Sequence, residues 1–194
     1  MNKLPTNKIW WWLATWFGSG LAPKASGTAG SLAALPFAWI VQYYCGNGGL
    51  LIATVFIFLI GWWASNEYMK YYPEKHDPKQ IVVDEVAGMW LLLWLAVAPD
   101  GRVGLDYGTF VFYLICFSMF RLFDALKPWP ISIADRKIKG GFGVMFDDIL
   151  AAVYPIIIIV AIYLLADTVC PISMKIFIDG DHGFDEKDWC GNVF

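Results

Sequence analysis

The sequence predicts an all-α, polytopic membrane helix bundle: about five spanning helices plus an N-terminal interfacial helix. Hydrophobic types make up 58% of the 194 residues, against roughly 45–50% in an average soluble protein. Charged types make up 16%, against about 25%, and mean hydropathy is +0.54. Successive apolar stretches alternate with short polar linkers. These observations exclude a disordered or collagen-like chain and weigh against an ordinary water-soluble globule. The 11 Trp and 9 Tyr suit the headgroup level of a bilayer. A net charge of −3 gives no argument for nucleic-acid binding.

The first element is IWWWLATWF, residues 9–17. It is too short to span, and Lys3 and Lys8 give it the basic flank of a signal peptide. Its four Trp suit a helix lying in the headgroups better. Five apolar stretches follow: 31–45 with Pro36, 50–64, 81–98, 109–126 and 149–166. A spanning helix needs about 20 apolar residues. Only the last stretch meets this without charges, so the others are read as spans whose ionisable ends lie at one membrane face. A soluble helical core is the alternative. The chain is read as one membrane-embedded domain, 1–194: an interfacial helix at 1–17, a bundle with the candidate site at 18–166, and an acidic tail at 167–194.

Alternating five spans puts the 18–30 loop, Asp84 and Glu85, Arg121 and Asp124, and Asp147 and Asp148 on one side. The last helix is expected to open at Asp147 and Asp148. All 14 Lys and Arg except Arg102, Lys175 and Lys187 fall on that side, which the positive-inside rule makes cytoplasmic. The tail after Ala166 then emerges on the oxidising side. A disulfide between Cys170 and Cys190 is chemically allowed there, but their spacing cannot show bonding geometry. The four Cys, at 45, 116, 170 and 190, form no C-x-x-C pair, so no zinc ribbon or thioredoxin-like site is supported.

Three constellations carry the chemistry. The first is GSGLAPKASGTAGS, residues 18–31. Its glycines allow close backbone approach, Ser26, Thr28 and Ser31 supply hydroxyls, and a following helix start favours an anion. It lacks the Gly-Lys-Ser/Thr ending of a P-loop, and a flexible re-entrant turn explains it equally. The second is HDPKQIVVDEVAG, residues 76–88, with Asp77, Asp84 and Glu85. Acids at a helix start could simply cap it, yet carboxylates at membrane depth are costly and default to function. The third is FRLFDALKPWPISIADRKIKGGFGVMFDDILA, residues 120–151. Arg121 and Asp124, at i,i+3, share a face and could simply pair. Lys127 precedes Pro128, Asp135 and Arg136 follow, and Asp147 and Asp148 could be caps.

Taken together, these carboxylates gather with Arg and Lys on one face. Hard oxygen ligands suit Mg²⁺, which takes one or two carboxylates and shares its substrate's phosphates. Basic groups suit the remaining phosphate oxygens. The expected metal ligands are Asp77, Asp84, Glu85, Asp124, Asp147 and Asp148. Arg121 and Lys127, with Gly27, Thr28, Gly30 and Ser31 of the first loop, are expected to hold phosphate. Asp84, Glu85, Arg121, Asp124, Lys127 and Asp135 are the candidate catalytic set. His76 is a spectator or a proton carrier; with His182 it is too little for a His-based zinc site.

These three ordered blocks resemble the motif blocks of the phosphatidylglycerophosphatase A family and cover most of residues 18–151. The family's motif acids fall on Asp77, Asp84, Glu85, Asp124, Asp135, Asp147 and Asp148, and its basic groups on Arg121 and Lys127. The resemblance implies a Mg²⁺-dependent enzyme of the bacterial inner membrane, and the Lys and Arg distribution turns its site to the cytoplasm. Its substrate would be phosphatidylglycerophosphate, and its products phosphatidylglycerol and inorganic phosphate. The tail, with Asp179, Asp181, Asp185, Glu186 and Asp188, lacks EF-hand spacing and reads as solvated. Two other readings are weighed. A CDP-alcohol phosphotransferase needs its Asp at fixed intervals in one segment, and here they are split. A transporter or channel for metal ion or phosphate needs charges along the midplane, and here the helix centres are apolar.

Overall fold

The computed structural model describes residues 5–73, 78–97 and 103–169, and among them it is helical without strands. Helix α1 (Ile9–Ala14) turns one face inward: Trp11 and Ala14 are buried, whereas Ile9 and Trp12 are exposed. The Val82 N–H donates to the Ala14 carbonyl and ties α1 to the bundle.

Helix α2 (Ser26–Tyr71) runs 46 residues and is broken at Gly46, whose φ of 68° suits a residue without Cβ. Its two legs run in opposite directions beside α3 (Val83–Ala96). On the first leg, Gly30 lies against Val82 just before α3 begins. At the other end of α3, Asn47 Nδ2 donates to the carbonyls of Trp94 and Val97. The return leg brings Gly61 back to Val83. The climb from residue 47 to 61 is about 21 Å, as is the length of α3 at about 1.5 Å per residue. Helix α4 (Tyr107–Leu126) starts on an Asp106 N-cap that accepts from the Thr109 N–H. A short helix α5 (Ile131–Lys137) leads to α6 (Gly140–Val169).

Helix α3 is the centre of the bundle, with nine of its 14 residues buried. Gly88 allows this closeness: a Cβ there would stand 2.8 Å from both the Asp148 carbonyl and the Phe120 ring. The outer faces are apolar. Ile52 and Phe56 on α2, Phe110 and Ile115 on α4, and Ile157 and Leu165 on α6 are all exposed. Water would not tolerate so much contiguous apolar surface, and a bilayer does. Buried polar groups at one end of the bundle satisfy each other: Tyr113 Oη donates to Gln42 Oε1, and Gln42 Nε2 to Asn47 Oδ1.

Three helices are long and apolar enough to cross a membrane: α2, α4 and α6 over Gly140–Ile162. The expected count of about five spans is not confirmed by these three helices. Residues 31–45 and 50–69 belong to one helix that doubles back at a single residue, and α3 is shorter than the roughly 30 Å hydrocarbon core. Two boundaries also move. Helix α2 begins at Ser26, so Gly27, Thr28, Gly30 and Ser31 are helical rather than loop. Helix α6 begins at Gly140, so Asp147 and Asp148 lie inside it and do not open it. His76, Asp77, Cys170, Cys190 and the remaining tail lie outside the described residues.

Candidate active site

The end of the bundle opposite the Gln42–Asn47–Tyr113 network holds a cavity of about 490 Å³. Five helices line it, Arg136 coming from α5. The first turn of α2 contributes Gly27, and the first turn of α3 contributes Asp84 and Glu85. The end of α4 contributes Arg121, Asp124 and Lys127, and α6 contributes Asp147 and Asp148. Lys127 is the α4 C-cap and takes a left-handed conformation (φ 40°) that turns the chain at the cavity edge.

Asp84, Glu85 and Asp148 each offer a carboxylate oxygen, all within 4.8 Å of one another. Asp84 Oδ1, Glu85 Oε2 and Asp148 Oδ2 are buried and lack hydrogen-bond partners among the described residues. Two unit charges at that distance repel by about 3 kcal/mol at an effective dielectric of about 20. Helix-end placement does not explain the cluster: Asp84 and Glu85 fall in the first turn of α3, but Asp148 lies two turns inside α6. Close, buried, unpartnered carboxylate oxygens fit a hard divalent cation.

The two remaining acids face cations. Asp124 Oδ2 lies 2.8 Å from Arg121 Nη1, and Asp147 Oδ2 accepts from Lys127 Nζ at 2.7 Å. Arg121 Nη1 also donates to Ser31 Oγ at 3.4 Å and stands 4.0 Å from Glu85 Oε1. The six acids expected as ligands therefore separate: three form the close cluster, two hold basic groups, and Asp77 lies outside the described residues.

Gly27 packs directly on the charged groups. A Cβ there would stand 2.2 Å from Glu85 Oε1 and 3.1 Å from both terminal nitrogens of Arg121. The other first-loop residues are placed differently from expectation. Gly30 does not line the cavity; a Cβ there would stand 2.6 Å from Val82 Cβ, so it serves helix packing. Thr28 is also absent from the lining. Ser31 is fully buried, donates to the Gly27 carbonyl at 2.9 Å and meets Arg121 from behind. Asp135 falls on α5, with its side chain outside the description. Sequence reasoning missed Lys79, Arg136 and Lys139, which also line the cavity. Their signal was membership of the basic set on the charged face.

Comparison with known proteins decides among the readings. Residues 12–163 match the family described as Phosphatidylglycerophosphatase A. The chain is 39% identical over 150 residues to Phosphatidylglycerophosphatase A of Haemophilus influenzae, covering 77% of this chain and 86% of that one. It is 36% identical over 152 residues to the Escherichia coli protein of the same name, covering 78% and 82%.

The chain belongs to the phosphatidylglycerophosphatase A family.

A Bacteroides thetaiotaomicron protein provisionally named phosphatidylinositol-3-phosphatase is 38% identical over 152 residues, covering 76% and 89%. No solved structure matches. The phosphatidylglycerophosphatase A match takes in every residue that lines the cavity, and the chain is a lipid phosphatase with membrane helices. The transporter alternative finds no support among these relatives.

Proposed function

We propose that this chain is a Mg²⁺-dependent phosphomonoesterase of the bacterial inner membrane, acting on phosphatidylglycerophosphate at the cytoplasmic face. The observation that carries the reading is the trio of unpartnered carboxylate oxygens from Asp84, Glu85 and Asp148 beside Arg121 and Lys127. The names of the Haemophilus and Escherichia relatives supply the headgroup. The distribution of Lys and Arg supplies the orientation.

Asp84, Glu85 and Asp148 would hold the cation, with Asp124 and Asp147 at its edge. A bound Mg²⁺ would supply Lewis acidity toward a phosphoryl oxygen and a counter-charge for the trio. Arg121 presents a planar fork to phosphate, held from one side by Asp124 and from another by Ser31. Lys127, steered by Asp147, adds a point charge. Both groups oppose the negative charge that gathers on the phosphoryl oxygens as the ester bond breaks. Water supplies the oxygen that stays on phosphorus and the proton that leaves with the glycerol hydroxyl.

The test is phosphate release by the purified protein from phosphatidylglycerophosphate, with phosphatidylinositol 3-phosphate as comparator, under Mg²⁺ and under chelator. Release from the first lipid, abolished by chelator and restored by Mg²⁺, is expected. Faster release from phosphatidylinositol 3-phosphate would move the headgroup assignment. Full activity under chelator would end the metal assignment.

A further inference from the structure

The proposed substrate carries two phosphates: the terminal monoester to be removed, and a diester one glycerol away that must survive. The charged cavity accounts for the first. Beside it lies a second hollow, bounded by the 20–26 segment and by Lys79 and Gln80. Ala25, Ser26 and Lys79 line both spaces, so the two adjoin.

The walls of this hollow are fixed. A Cβ on Gly20 would stand 2.1 Å from the Gln80 carbonyl oxygen, so only glycine lets the segment lie directly on that backbone. At the other end, Ser26 Oγ donates to the Lys79 carbonyl at 2.5 Å. Between them Ala25 takes a left-handed conformation (φ 51°), unusual for a residue with a Cβ, and the chain turns there into α2. The lining is chemically unlike the main cavity. It carries Lys24 and Lys79 and, among the described residues, no carboxylate. Two lysines without a carboxylate among the described lining residues attract an anion. An apolar ridge adjoins it: Leu21 lines the hollow and is exposed, and exposed Phe17 stacks with Phe37.

We propose that this hollow is the subsite for the phosphodiester of the lipid, with Lys24 as a specificity-determining residue and Lys79 between the two phosphates. The acyl chains then leave along Leu21, Phe17 and Phe37. The inference rests on the lipid phosphatase reading above and adds what distinguishes a two-phosphate headgroup from a single phosphomonoester.

The test uses two soluble probes that lack acyl chains: glycerophosphoglycerophosphate, with both phosphates, and glycerol 3-phosphate, with the monoester alone. The readout is the ratio of their kcat/KM values in full-length protein in neutral detergent. Lys24→Met is expected to lower the preference for the two-phosphate probe about tenfold, with Lys24→Arg restoring most of it. An unchanged ratio in Lys24→Met and in the Lys24→Met/Lys79→Met double variant would overturn the subsite. So would a loss seen only with acylated lipid in anionic micelles, which would make Lys24 a surface anchor. Calorimetric binding of glycerophosphoglycerophosphate under chelator separates this inference from the activity. A tenfold weaker affinity in Lys24→Met supports the subsite even where no turnover occurs, and equal affinity refutes it. Wild-type protein that binds the probe but hydrolyses neither substrate would instead count against the phosphatase reading.

Discussion

Replacing Gly27 with Ala separates activity from stability at one atom. The new Cβ would stand 2.2 Å from Glu85 Oε1, whereas ordinary contact begins near 3.4 Å. The carboxylate must therefore retreat by about 1.2 Å, and the Arg121 guanidinium, at 3.1 Å, by a few tenths of an ångström. Glu85 can do this by turning the far end of its side chain, so the fold is not forced open. Ala in a helix is also better than Gly by roughly 0.5–1 kcal/mol. Thermal unfolding is accordingly expected within a few degrees of wild type. Catalysis is expected to respond differently, because a misplacement of about 1 Å in a reacting constellation can cost about a hundredfold. The assay is phosphate release from phosphatidylglycerophosphate in mixed micelles, at saturating lipid and across a Mg²⁺ titration. Turnover reduced about a hundredfold, with a weaker Mg²⁺ response, is expected. Turnover within threefold of wild type would refute the claim that Glu85 and Arg121 must keep their places beside the α2 backbone.

Asp148→Asn keeps the size of the side chain but removes one of three close carboxylate ligands, and it is expected to abolish most Mg²⁺-dependent turnover, measured as phosphate release. Arg121→Lys loses the planar fork shared by Asp124 and Ser31, and a drop of at least tenfold in kcat/KM is expected. Asp106→Ala removes the α4 N-cap and is expected to cost about 1 kcal/mol in denaturant unfolding, with little change in turnover. The Thr109 backbone N–H and hydroxyl hold the Asp106 carboxyl below its ordinary range. Its contribution is therefore present above the usual carboxylate pKa and fades as pH falls through the lowered value. A wild-type stability advantage over Asp106→Ala that persisted in strong acid would contradict this.

Much of the site was legible because its acids and bases sit at the ends of apolar stretches, and each such end has one partner face. Asp84, Glu85, Arg121, Asp124, Lys127, Asp147 and Asp148 were all marked by charge against an apolar background. Their division of labour was not legible. Asp147 and Asp148 are neighbours in sequence, but on a helix they point about 100° apart, one to Lys127 and the other to the carboxylate cluster. Gly27 and Gly30 look alike in a glycine-rich run, and only tertiary packing assigns one to the cavity and the other to Val82. The boundaries failed for a related reason. Small residues such as Gly27, Gly30, Gly141 and Gly143 read as loop by propensity, yet close helix packing favours them inside α2 and α6. Lys79, Arg136 and Lys139 were hidden because a surface cation on a basic face carries no local mark of the cavity it borders.

The central claim is that Asp84, Glu85 and Asp148 form the cation site of this phosphatase. The most direct measurement is Mn²⁺ binding followed by electron paramagnetic resonance, comparing wild type with the Asp84→Asn/Asp148→Asn double variant in the same detergent. Saturable binding by wild type, competed by Mg²⁺ and lost in a double variant that remains folded, is the expected result. Equal, Mg²⁺-competed binding by the double variant would contradict the account and place the cation elsewhere.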